Sequence, residues 1–122
     1  MQCFVLLIVG LCATSVASQC VTARSGPVPS DYVSFSVDDA VLTPDYSRWR
    51  INYLPRCYGG VLEVSTCDPF TQPTIKILSE TEVIVSRGIP RLTLKVHAKF
   101  WCAENSNGFP KVPPVVTPLQ RS

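Results

Sequence analysis

"DYSRWRINYL", residues Asp45 to Leu54, admits two readings. Interleaved arginines and aromatics suit a surface that stacks bases and neutralises phosphates. Strand alternation instead puts Trp49, Ile51 and Tyr53 on one face, with Arg48, Arg50 and Asn52 on the other. The first reading needs a phosphate partner and a strongly basic chain; the second needs a small β core. A formal net charge of +2 is too small to argue for nucleic acid or an anionic membrane.

The compartment points the same way. "FVLLIVGLCATSVA" (Phe4 to Ala17) is a largely apolar run too short to span a bilayer comfortably. It ends in "SVAS", whose small residues suit signal peptidase, although the leading "MQC" lacks a Lys or Arg. Residues 1–18 are read as a signal peptide, with the mature chain starting at Ser18 or Gln19. No later apolar run is long enough to cross a membrane, so the expected product is secreted, with the endoplasmic reticulum lumen as its route and no membrane contact after cleavage. Cys3 and Cys12 leave with the leader. Cys20, Cys57, Cys67 and Cys102 remain, an even set in an oxidising compartment, where disulfides are their expected use.

Beyond the leader, short alternating apolar runs recur between Pro and Gly. Val33, Phe35 and Val37 alternate, then Trp49, Ile51 and Tyr53. "VLEV" (Val61 to Val64) follows the turn signal Gly59-Gly60; "TIKIL" and "EVIVS" come next. In "RLTLKVHAKFWC", Leu92, Leu94, Val96, Ala98, Phe100 and Cys102 share one face, and Thr93, Lys95, His97, Lys99 and Trp101 the other. No helical period competes. About six or seven short strands with turns at such spacing predict an all-β, immunoglobulin-like antiparallel β-sandwich, disulfide-stabilised, over residues 19–104. Residues 105–122, rich in Pro and without alternation, read as an extended or disordered Pro-rich C-terminal tail. Trp49, Ile51, Tyr53, Leu94, Val96 and Phe100 are then core.

The turn at Gly59-Gly60 predicts a hairpin in which Cys57 sits beside the turn and Cys67 several residues along the returning strand. Their separation disfavours a Cys57–Cys67 bridge. Two pairings remain: Cys67–Cys102 with Cys20–Cys57, or Cys57–Cys102 with Cys20–Cys67. Cys102 lies in phase with the core face, which favours Cys67–Cys102 as a bridge between sheets.

Active-site chemistry finds little support in the residues. His97 is the single histidine, set by parity between Lys95 and Lys99 on a solvated face. A nucleophile would need a base and an orienting group at hand. Asp38 and Asp39 point to opposite sides of a strand and start no oxygen-ligand spacing. The cysteines lack the close pairs and histidine partners of a zinc site. Neither an enzyme nor a cofactor or metal is expected. The basic row Arg91, Lys95, His97 and Lys99 is the candidate surface for an acidic partner, weighed against a merely solvated face.

One segment carries a likeness. In "SVDDAVLTPDYSRWRI", Val37-Asp38-Asp39 is followed after six residues by Tyr46-Ser47-Arg48-Trp49-x-Ile51. It resembles the opening of the domain in the secreted immunoglobulin-like accessory protein of SARS-related coronaviruses, the product of their eighth open reading frame. "VLEV" and "LTLKVHAKFW" resemble two later strands of that family. The family's cysteine pair falls here on Val41 and Ala98, so its disulfide framework does not carry over. Asn52, Asn105 and Asn107 all fail the glycosylation rule. The resemblance implies a viral accessory protein that binds host immune or secretory-pathway proteins, and a homodimer bridged through Cys20. The alternative is a small disulfide-stapled inhibitor or receptor ligand of non-viral origin, presenting the loop "CDPFTQP" (Cys67 to Pro73).

Overall fold

The computed structural model describes residues 19–88, 92–106 and 108–121. The expected signal peptide and Arg91 of the basic row lie outside the described residues. Every helix or strand among the described residues is a strand: β1 (Gln19–Arg24), β2 (Tyr32–Ser36), β3 (Ala40–Leu42), β4 (Tyr46–Asn52), β5 (Val61–Asp68), β6 (Thr74–Ile77), β7 (Glu82–Ser86), β8 (Leu94–Ala103) and β9 (Val115–Arg121). All pairings are antiparallel. The first sheet runs β1-β5-β8-β2, with β3 also on β8; the second runs β6-β7-β4-β9. β2 and β3 share one edge of β8, Ser36 opposing Lys99 and Ala40 opposing Val96.

Alternation decides which side chains meet between the sheets. Trp49 and Ile51 from β4 pack with Val83 and Val85 of β7, and with Leu62, Val64, Val96 and Phe100 of the facing sheet. Trp49 keeps 2% of its surface and Ile51 none. Full burial of such aliphatic or aromatic side chains contributes about 1.5–3 kcal/mol each. Tyr53, just past β4, is also buried, its backbone N–H donating to Thr81. The chain is therefore an antiparallel, disulfide-stabilised β-sandwich with Trp49 in its core. Leu92 departs from the expected face: β8 starts at Leu94, and Leu92 lies exposed before it.

Three expectations are corrected. First, β4 and β5 form no hairpin. The Gly59-Gly60 turn carries the chain from one sheet to the other, because both strands turn an apolar face to a common core from opposite layers. Gly59 takes a positive φ of 68°. A Cβ on Gly60 would stand 2.7 Å from the Cys57 sulfur, so only glycine lets the backbone cover that atom.

Second, the bridges are Cys20–Cys67 and Cys57–Cys102, the pairing not favoured above. β5 and β8 are neighbours in one sheet rather than members of two. Their register sets Thr66 against Val96 and Val61 against Trp101, so Cys67 lies near Lys95 and Cys102 at the far end of the pair. Cys102 lies seven strand steps beyond Lys95 on β8, about 23 Å at strand rise, far beyond a disulfide's reach. Cys20 directly opposes Cys67, so it is bonded within the chain rather than to a second copy.

Third, of the extended or disordered tail expected at 105–122, the described residues 108–121 are extended and end in a strand of the second sheet rather than disordered. β9 pairs with β4 from Asn52–Val115 to Tyr46–Arg121, with irregularities around Arg48. Before it, the Phe109 N–H donates to the Arg56 carbonyl at 2.7 Å, and Arg56 Nε donates back to the Phe109 carbonyl at 2.9 Å. Phe109 also meets Tyr58 edge-on. β9 leaves no alternation in the sequence because only Val116 packs on the core; backbone bonding holds the rest.

Candidate functional site

β8 is an interior strand of the first sheet, and its parity turns Lys95, His97, Lys99 and Trp101 to the outer side. The register builds rows across that face: Arg24, Glu63, Lys99 and Ser36 in one, Thr22, Ser65 and His97 in the next, Val61, Trp101 and Ser34 in a third. Ladders on both sides of β5 and β8 fix these positions.

Glu63 is the hub of the first row. Its Oε1 accepts from Arg24 Nε at 2.6 Å and from Trp101 Nε1 at 3.1 Å, while Lys99 Nζ lies 3.5 Å from Oε2. Partial burial alone would raise the Glu63 pKa. The hydrogen bonds from Arg24 and Trp101 and the charges of Lys99 and Arg24 outweigh it, holding the carboxyl below its ordinary range. Lys99 Nζ stands 4.7 Å and Arg24 Cζ 6.0 Å from the Trp101 ring centroid, both within cation–π reach. Trp101 is thus half-buried, with its ring framed by two cations and its N–H engaged.

The basic row is more balanced than the sequence suggests. His97 Nδ1 sits 2.8 Å from Asp39 Oδ1, and both side chains are exposed. Lys99 is drawn to Glu63, and among the described residues no ion pair holds Lys95. Parity placed Trp101 on this face, whereas the sequence reading missed Glu63, Asp39 and Arg24 as members of it. Strand parity for Glu63 was available as a signal. The partners of Asp39 and Arg24 depend on strand order, which local pattern does not carry.

A shallow depression of about 150 Å³ is lined by Glu63, Ser65, His97 and Lys99. Ser65 opposes His97, and His97 meets Asp39, which are the residue types of a serine hydrolase relay. A relay also needs a nucleophile bonded to its base and N–H donors aimed at an oxyanion. Here His97 turns its Nδ1 to Asp39, no hydrogen bond among the described residues joins it to Ser65, and β5 and β8 are interior strands whose N–H groups serve the ladders. Among the described residues no group of His, Cys, Asp and Glu could hold a metal ion.

The loop from Cys67 to Pro73 is anchored at its base. Cys67 is tied to Cys20, and Asp68 accepts the Phe70 N–H at 2.9 Å while its other oxygen faces Arg87. Phe70 itself is 46% exposed. Two disulfides fit an oxidising extracellular or secretory environment, and no helix among the described residues is long and apolar enough to cross a membrane. No family model, curated protein or solved structure matches the chain.

Proposed function

We propose that this chain is a secreted protein-binding module that presents the outer face of its first sheet to a protein partner. On the resemblance carried by residues 36–51, it is a viral accessory protein that engages host immune or secretory-pathway proteins. The observation behind the binding reading is Trp101, framed by Lys99 and Arg24 and hydrogen-bonded to Glu63 on a laddered surface. Binding energy concentrates on such aromatic and arginine anchors when their geometry is already fixed. Exposed Lys95 and His97 farther along the same face of β8 favour an acidic patch on the partner. The test is affinity capture of cell-surface and secretory-lumen proteins with the native chain and with Trp101→Ala and Lys95→Glu. A partner held by the native chain and lost from both variants supports the reading; equal capture by all three overturns it.

The anchored loop favours a second reading, a small extracellular inhibitor that offers Phe70 to a protease pocket. Inhibition of a protease panel by the native chain, abolished by Phe70→Ala, would select it over the sheet-face reading.

A further inference from the structure

The two disulfides differ sharply in access. Cys57 and Cys102 are buried, at 2% and 0% exposure, and the Gly60 backbone closes over their sulfurs. Cys20 and Cys67 are both exposed, on the outer side of β1 and β5. Among the described strands β1 lies at the edge of its sheet. A groove of about 360 Å³, lined by Cys67, Leu92, Lys95 and His97 among others, opens beside the bridge.

We propose that Cys20–Cys67 is a thiol–disulfide exchange site, open to an incoming thiolate in the folded protein while Cys57–Cys102 stays closed. Exchange requires a thiolate to reach one sulfur, and it is fastest when the other sulfur leaves as a stabilised thiolate. The surroundings distinguish the two sulfurs. Lys95 and His97 line the groove with Cys67, and no ion pair among the described residues holds Lys95. A nearby ammonium lowers a thiol's pKa and favours the leaving thiolate on Cys67. Attack therefore falls on the Cys20 sulfur.

The co-reactant is a thiol, either a monothiol such as glutathione or a protein dithiol. Its thiolate forms a bond to Cys20 Sγ as the Cys20–Cys67 bond breaks, and the electron pair leaves on Cys67 Sγ. With a dithiol, the second thiolate attacks the co-reactant's own sulfur in the mixed disulfide and expels Cys20 as a thiolate. The co-reactant departs oxidised to a disulfide, the protein gains two electrons, and both cysteine thiolates equilibrate with protons from water. Opening removes a covalent tie from β1, which then depends on its ladder to β5.

The experiment places the full folded chain in graded glutathione buffers, traps free thiols by alkylation and maps the peptides, with circular dichroism reporting that the sandwich persists. The expected result is glutathione on Cys20 and the alkyl group on Cys67, with Cys57–Cys102 intact and the fold retained. Lys95→Gln should slow the opening severalfold without shifting the thermal midpoint. The proposal is overturned if both bridges open together, if either opens only on unfolding, if glutathione resides mainly on Cys67, or if Lys95→Gln leaves the rate unchanged.

Discussion

Arg87 Nη2 lies 3.1 Å from Asp68 Oδ2 with neither side chain exposed to solvent. Arg87 follows β7 in one sheet and Asp68 ends β5 in the other, so the pair spans the layers at one end of the sandwich. Arg87 Nε also faces Asp68 Oδ2 at 3.2 Å, and its Nη1 donates to the Leu92 carbonyl at 2.7 Å. Removing one partner leaves the other charge buried alone, which typically costs about 3–5 kcal/mol. Asp68→Asn and Arg87→Met should each lose stability on that scale in urea unfolding. The combined Asp68→Leu, Arg87→Met chain should lose less than either single loss implies. Recovery will be incomplete, because the Phe70 N–H and the Leu92 carbonyl lose their partners.

Tyr53 presents the opposite case. Its hydroxyl is buried without a hydrogen-bond partner among the described residues. Burial, and next the Asp39 carboxylate, push its pKa well above the ordinary phenol range, so it stays neutral at any physiological pH. Tyr53→Phe deletes an unsatisfied polar atom and keeps the ring. Chemical denaturation should show no loss of stability and a gain of up to about 1 kcal/mol.

Glu63 links stability to acid. Its carboxyl titrates below the ordinary value of 4.5 in the folded chain. A depressed folded pKa means a contribution that is complete above the ordinary carboxyl value and disappears as pH falls through the lower folded one. Native chain and Glu63→Gln should therefore differ most in denaturation midpoint near neutrality. The two should converge only as pH falls below the lowered folded value of Glu63. A difference independent of pH would mean that the Arg24 and Trp101 hydrogen bonds do not depend on the charge.

β9 guards an edge. It pairs with β4 on the side away from β7, and Pro118 interrupts its own N–H row. Truncation after Pro114 would leave β4 with unpaired backbone groups, the arrangement that recruits strands from other molecules. The truncated chain should elute as aggregate or oligomer in size-exclusion chromatography with light scattering, whereas the full chain runs as a smaller species.

Alternation by itself determined the core. Trp49, Ile51, Leu94, Val96 and Phe100 lie inward because a period of two is local, and any sandwich built from those strands must bury that face. The outward set Lys95, His97 and Lys99 followed from the same parity. Strand order, by contrast, was decided only in the tertiary structure. β1 and β9 bury too little side chain to leave a pattern, so their places depend on backbone bonds to strands far away in sequence. Once β5 lay beside β8 and β1 beside β5, the register brought Cys20 to Cys67 and Glu63 to Lys99 and Arg24. Those distances arise from pairing between segments some tens of residues apart, information that no window of the sequence contains.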